Sequence, residues 1–444
     1  MSFPKYPKYK ASGVEWLGDV PEGWEVVRLR QIGPLLKGGG GSKEDITETG
    51  VPCVRYGDLY MTHSYHINAT RTRISEARAI DYTPIRFGDV LFAASGEKLA
   101  EIGKSAVNLM TAPAVCGGDV VILRPTSDVD ARFLGYSADS PLAAMQKASM
   151  GRGTTIKHIY PDELRQLMLT LPPLPEQLAI TAFLYRETAK IDELVNAQAR
   201  LIELLKEKRQ AVISHAVTKG LNPHAPMKPS GVEWLGDVPE HWEVVPIKWL
   251  SPVKRGASPR PIDDPKYFDE QGEYAWVRIA DVSACDGVLS ETTQRLSPLG
   301  NSLSVKILPN ELFVSIAGTV GKPCISAIKA CIHDGFVYFP TLKIEPWFLF
   351  RIFEAGDCYG GLGKWGTQLN LNTDTVGSIR VAVPPAAELI QVLKFLDVES
   401  SRFDTLTAEA QRAIDLLQER RSALISAAVT GQIDIRNTIP MEAA

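Results

Sequence analysis

Cysteine and histidine are scarce in this chain, with six and seven among 444 residues. The cysteines (Cys53, Cys116, Cys285, Cys324, Cys331 and Cys358) are scattered and never form C-x-x-C, which argues against a zinc ribbon and against a disulfide framework. They read as buried, reduced thiols. His63 and His66 stand close together, but no third or fourth ligand is near them, so a surface turn is the reading and no metal is expected. No stretch of eighteen apolar residues occurs and "MSFPKYPKYK" has no apolar run, so neither a membrane nor export is expected and the chain is placed in the cytoplasm. Excess positive charge is also missing: the net charge is −4. If the protein grips DNA, the positive charge must be local or supplied by partners.

Catalytic signatures are missing as well. "GLGKWG" (Gly361 to Gly366) has the G-x-G-x-x-G spacing but follows no apolar strand and leads into no helix start. "IGKS" ending at Ser105 has Lys98 where a phosphate loop needs glycine, and its counterpart "VGKP" puts Pro323 where the hydroxyl should stand. "LPPL" and "VPPA" are not the tetrapeptide of an amino-methyltransferase. Pro161-Asp162 is not followed by the Glu-x-Lys of a common nuclease. Catalysis in this chain is not expected.

What the chain does have is a repeat. "SGVEWLGDVPEGWEVV" from Ser12 to Val27 returns as "SGVEWLGDVPEHWEVV" from Ser230 to Val245, alike at fifteen of sixteen positions and 218 residues on. "LPPLPEQLAITAFLYRETAKIDELV" from Leu171 is echoed by "VPPAAELIQVLKFLDVESSRFDTLT" from Val383, an offset of 212, and "AVISHAVTKG" from Ala211 by "ALISAAVTG" from Ala423. Each half reads as short peptide, variable segment, diproline, long helix. Proline is tolerated in the first turn of a helix and rejected inside it, so the diproline marks a start. The boundaries expected are 1–170 for the first peptide and globular domain, 171–222 for a central helical spacer, 223–382 for the second peptide and domain, and 383–444 for a terminal helical spacer.

Within the helices Leu184, Ile191, Gln198, Leu205 and Val212 recur every seven residues, with Leu194 and Leu201 beside them; Leu396, Phe403, Ala410, Leu417 and Leu424, with Leu406 and Ala413, repeat the pattern. Two seams in equal register are expected to pack on each other as an antiparallel coiled coil. At 1.5 Å per residue, Glu176 to Thr218 makes a rod of roughly 60 Å.

The variable segments, about Arg28 to Thr170 and Pro246 to Ala382, hold short β-type runs bounded by Gly, Pro, Asp and Asn, among them "FGDVLFAAS", "GGDVVILRP" and "ELFVSIAG". The fold class expected is α+β: two strand-rich globular domains separated by a pair of long antiparallel coiled-coil helices, as a pseudo-twofold internal repeat. "CVRYGDL" parallels "WVRIADV", and "GTTIKHI" parallels "GTQLNLN". A frame kept alike around diverged domains suits a device that reads two different things. Trp16, Trp24, Trp234 and Trp242 lie in the repeated peptides and are assigned to structure, as clamps between domain and helix.

"SGVEWLGDVPEGWEVVRL", "GRGTTIKHIYPDEL…LPPLPEQ" and "KIDELV…LIELLKEKRQAVISHAVTKGL" resemble the specificity subunits of Type I restriction-modification enzymes, and the likeness covers essentially the whole chain. The second half departs from it at "VPPAAE". The resemblance implies a non-catalytic subunit that reads double-stranded DNA, with each variable segment a target recognition domain for one half of a split, asymmetric sequence. It implies two modification subunits that use S-adenosylmethionine to methylate adenine, and restriction subunits that use ATP and Mg to cleave; no cofactor is expected in this chain. The competing readings are a coiled-coil adaptor that never meets DNA and a self-sufficient methyltransferase or nuclease.

Base reading uses Arg or Lys to guanine and Asn or Gln to adenine, whereas phosphates take Lys, Arg, hydroxyls and backbone amides. Glycine-rich loops with those residues are the candidates. In the first domain they supply Lys37, Ser42, Lys43, Arg55, Tyr56, Lys98, Lys104, Arg152, Thr154, Thr155 and Lys157. In the second they supply Lys254, Arg255, Ser258, Arg260, Arg278, Lys322, Lys364, Thr367, Gln368 and Asn370. For each one the bland reading is a solvated loop, and for "GGGGS" a flexible hinge.

Overall fold

The computed structural model describes residues 3–42, 44–360, 362 and 371–436. They divide into two compact units, one of the residues up to Ala199 with those from Gln411 onward, the other Arg200–Ala410. Each unit holds one strand-rich reader and part of each of two long helices, Leu174–Lys219 and Ala386–Val429.

The readers share one topology. In the first, a five-stranded sheet runs in the order Leu35–Lys37, Val120–Leu123, Val90–Ala93, Ser105–Asn108, Tyr65–Ile67, antiparallel except for its last pair. In the second, the order is Lys254–Arg255, Phe336–Tyr338, Leu312–Ser315, Pro323–Ser326, Val288–Leu289, again with only the last pair parallel. A second sheet in each reader is built around a parallel pair, Val51–Val54 with Ala114–Cys116 and Tyr274–Val277 with Ala330–Ile332.

The central strands are apolar at consecutive positions because both faces are covered. Val90, Phe92, Val121 and Leu123 point into one cluster, while Leu91, Ala93, Val120 and Ile122 point into another. The second reader does the same, with Leu312, Val314 and Val337 on one side and Phe313 and Phe336 on the other.

The repeated opening peptide closes each reader. Glu25–Arg28 pairs antiparallel with Met168–Leu171, the strand that leads into the first diproline; Glu243–Pro246 pairs in the same way with Arg380–Val383. Trp24 and Trp242 are wholly buried as expected. Trp24 lies against Gly431, just past the second long helix, and Trp242 against Gly220, just past the first. Both glycines have positive φ, +74° in each case, the left-handed turn that ends a helix. Glu176 and Glu388, equivalent by the 212 offset, accept hydrogen bonds from Tyr6 and His241 at the helix starts.

Within each unit the two helices run antiparallel. In the first, Ile180, Phe183 and Leu184 cluster with Ile425, Ala428 and Val429; in the second, Ile213, Ala216 and Val217 cluster with Leu389, Val392 and Leu396. One column of the expected seam is inside or half-buried: Leu184, Ile191, Gln198, Leu205 and Val212, with Leu396, Phe403, Ala410, Leu417 and Leu424. Its companion column is not the one expected. Leu194, Leu201 and Leu406 face solvent, and Ala413 is half-buried.

The true companions are Thr188, Val195, Ile202, Arg209 and Ala216, matched 212 residues on by Ser400, Thr407, Ile414, Arg421 and Ala428, all inside or half-buried. Hydroxyl, guanidinium and small side chains fill this column, and leucines at other positions are the decoy. Its two arginines make matching ion pairs, Arg421 with Asp192 at 3.4 Å and Arg209 with Asp404 at 3.7 Å. Such half-exposed pairs contribute little stability and act on register. Ile191→Ala is expected to cost roughly 2–5 kcal/mol in denaturant unfolding and Leu194→Ala at most about 0.5 kcal/mol; equal losses would restore the leucine seam.

Candidate nucleic-acid interface

Both readers carry a cleft at the same topological place, where the edge strand Leu35–Lys37 or Lys254–Arg255 passes the turn entering its neighbour. In the first reader the cleft, about 380 Å³, is lined by Lys37, Gly38–Gly41, Arg55, Tyr56 and Gly117–Asp119. The glycine run is pinned in place. A Cβ on Gly38 would stand 2.0 Å from the Gly117 carbonyl oxygen, one on Gly40 would meet the Tyr82 ring, and Gly118 N–H donates to the Gly40 carbonyl at 2.9 Å. This replaces the flexible-hinge reading. Arg55 precedes the short helix Tyr56–Met61; its N–H donates to Asp58 at 3.0 Å and its guanidinium to the Gly41 carbonyl at 3.2 Å.

In the second reader the cleft is about 760 Å³ and is lined by Ser258, Arg260, Ile262, Asp263, Pro265, Phe268, Trp276, Arg278, Gln294, His333 and Asp334. Arg278 precedes the helix Ile279–Ala284 as Arg55 precedes its own, with the same N–H bond to the third helical residue, Asp281, at 2.9 Å. Gly256 repeats Gly38: a Cβ there would stand 2.2 Å from the His333 carbonyl oxygen. Arg260 pairs with Asp334 at 3.0 Å, Ser258 donates to the same carboxylate at 3.4 Å, and Arg255 donates to its backbone carbonyl. Burial holds His333 below the usual histidine range. One frame thus presents glycine backbone, a tyrosine, a lysine and one arginine in one cleft, and indole, imidazole and two arginines in the other.

The remaining predicted residues fall elsewhere. Lys98, Arg152, Thr154, Thr155 and Lys157 gather around the short pairing of Ser95–Gly96 with Lys157–His158. Lys98 pairs with Glu101 at 3.4 Å, Arg152 with Glu163 at 3.3 Å, and Lys157 donates to the Gly153 carbonyl at 2.8 Å. Lys104 is half-buried, and its charge adds to desolvation in depressing the fully buried Lys147, which Asp139 partly offsets. Lys254 is exposed on an edge strand. Lys322 holds the end of the helix Ile279–Ala284, donating to the carbonyls of Ser283 at 3.0 Å and Cys285 at 2.8 Å. Ser42 is exposed near the first cleft, whereas Lys43, Lys364, Thr367, Gln368 and Asn370 lie outside the described residues.

Two sequence readings are corrected. His63 and His66 are no surface turn: His63 is buried, and His66 packs edge-on against Tyr136, both held below the usual histidine range by burial. Cys285 is only half-buried, unlike the other five cysteines. Sequence reasoning missed Gly117–Asp119 and His333–Asp334; the signal was a Gly/Asp turn immediately before an apolar strand in each domain. Among the described residues no group of three or more His, Cys, Asp and Glu is placed to hold a metal, and no helix is long and apolar enough to cross a membrane.

Residues 21–204 match the model of the Type I restriction modification DNA specificity domain. The chain is similar to the type I restriction enzyme MjaX specificity subunit of Methanocaldococcus jannaschii, at 23% identity over 98% of this chain and 99% of that one. It is similar to the MjaVIII specificity subunit of the same organism, at 22% identity over 94% and 95%. A chain solved in work on complex assembly and conformational transition of the type I R-M system has the same fold, with a TM-score of 0.71 at 18% identity over 95% of this chain and 99% of that one. The HsdS subunit from Thermoanaerobacter tengcongensis follows with a TM-score of 0.52 at 18% identity over 93% and 98%. Within the chain, one strand-rich domain topology and one long helical segment each occur twice. Along nearly its whole length the chain is thus similar to Type I restriction enzyme specificity subunits, and residues 21–204 match the family's domain model.

Because a Cβ at either position meets backbone, Gly38→Ala and Gly256→Ala are each expected to destabilise their own reader by roughly 1–3 kcal/mol. Unfolding followed by hydrogen exchange checks this; protection unchanged in the affected reader would contradict it.

Proposed function

We propose that this chain reads a split, asymmetric DNA sequence for a Type I restriction-modification assembly, one half-site per reader, and performs no chemistry of its own. The observation that carries the reading is the pair of topologically equivalent clefts with different linings. A symmetric dimer presents two identical surfaces and reads a palindrome, whereas equivalent mounts with unlike surfaces read an asymmetric target. Arg55 and Arg278 are the base-reading candidates, since a guanidinium can address guanine O6 and N7 at once. Pinned glycines let backbone amides approach phosphate. The local cations answer the missing net charge.

Docking of partners is supported by the outward residues of the helices. Leu178, Leu194 and Leu204 are matched 212 residues on by Ile390, Leu406 and Leu416, and all six are 38% to 64% exposed. An apolar surface repeated at equivalent positions suits one kind of partner bound twice, here two modification subunits. S-adenosylmethionine, ATP and Mg would act in the modification and restriction subunits.

With modification subunits present, a sequence-selective footprint is expected, and purified chain alone should neither bind S-adenosylmethionine nor transfer methyl groups. No footprint would favour the coiled-coil adaptor, and methyl transfer by the lone chain would favour an enzyme. Arg278→Ala is expected to cost about 1–3 kcal/mol in DNA affinity and to relax base preference in one half-site only. Exchange of residues 28–170 for a relative's domain should change the other half-site alone; a change in both would refute the assignment of one reader to each. Leu194→Glu and Leu406→Glu should each lower the number of bound modification subunits from two to one, as read by native mass spectrometry.

A further inference from the structure

We propose that Cys285 and Cys324 form a peroxide-reactive thiol pair whose oxidation ties the helix Ile279–Ala284 to the sheet of the second reader. Their sulfurs lie 3.6 Å apart, with Cys285 half-buried and Cys324 wholly buried behind it in the strand Pro323–Ser326. Cys285 stands immediately after the helix, and the Nζ of Lys322 is anchored at that end by the Ser283 and Cys285 carbonyls. The contact with the Cys324 thiol and the charge of Lys322 together bring the Cys285 thiol down to about 6, while the same contact and burial push Cys324 far up. The arrangement is that of a reactive thiolate in front of a resolving thiol: cationic, partly accessible, and with its partner within reach.

The reaction balances with hydrogen peroxide as the oxidant. The Cys285 thiolate attacks one peroxide oxygen, the O–O bond breaks, and the departing hydroxide takes a proton to leave as water, giving a sulfenic acid. The Cys324 sulfur then attacks the Cys285 sulfur; the S–S bond forms, the S–OH bond breaks, and hydroxide leaves with the Cys324 proton as a second water. Two thiols are oxidised and one peroxide is reduced. The remaining four cysteines are buried, and each thiol is raised by desolvation. The tie joins the end of the helix whose other end begins at Arg278, so it restrains the element that sets the arginine in the cleft.

Full-length protein treated with peroxide and digested without reduction is expected to yield a linked peptide holding Cys285 and Cys324, two mass units lighter than the reduced pair and lost on adding dithiothreitol. In the Cys324→Ser variant the reaction should stop at Cys285, trapped by dimedone. Iodoacetamide should label Cys285 in untreated protein about tenfold faster than any of the four buried cysteines. Absence of the linked peptide in the unsubstituted protein, or labelling of Cys285 no faster than the rest, overturns the proposal.

Discussion

Everything the readers present depends on how each is closed at its base. A strand from the repeated peptide pairs with the strand that becomes the next long helix, and a buried tryptophan from the same peptide lies against the glycine turn that ends the other one. In each domain one backbone ladder thus couples it to the start of one helix, and one large apolar side chain to the end of the other. Full burial of a tryptophan removes enough apolar surface that its truncation costs roughly 3–5 kcal/mol. This constraint accounts for the buried positions that recur in both copies, Leu17, Val20 and Trp24 in one and Leu235, Val238 and Trp242 in the other.

The readers are free to diverge because their own stability sits in the inner strands, not in the clefts. Val90–Ala93 and Leu312–Ser315 are filled from both sides by apolar side chains, and any apolar set of similar volume would serve there. The cleft loops hang instead from the outer strands Leu35–Lys37 and Val120–Leu123 in one reader and Lys254–Arg255 and Phe336–Tyr338 in the other. What they retain in common is steric: a glycine that must lack a Cβ and an arginine ahead of a short helix. A tyrosine and bare amides in one, and Trp276, His333 and Asp334 in the other, occupy the same frame and offer unlike hydrogen-bonding patterns.

The helices show the same separation of duties. Their inner columns fall at equivalent positions in the two halves and share Arg209 and Arg421, whose half-exposed partners Asp404 and Asp192 make the pairs better suited to fixing register than to adding stability. Their outer leucines, also repeated, are apolar without being covered by the chain itself.

Much of this architecture was fixed by local patterns. The repeat, the diproline helix starts, the strand-rich character of the variable segments and the structural place of Trp24 and Trp242 are properties of sequence periodicity and of residues with few allowed environments. One seam column, from Leu184 to Val212, was legible because leucine and isoleucine recur every seven residues. Its companion was not, because Thr188, Arg209 and Ser400 are buried by their neighbours and not by their own hydrophobicity, and Leu194 and Leu201 mimic the pattern on the wrong face. The clefts were half legible. Lys37 and Arg55 stand out as cations near glycine, but Gly117 reaches Lys37 across 80 residues of chain and His333 reaches Arg278 across 55, and the 3.6 Å approach of Cys285 to Cys324 spans thirty-nine. Sequence settles what each segment can become; which distant segments share a surface is decided only when the sheets close.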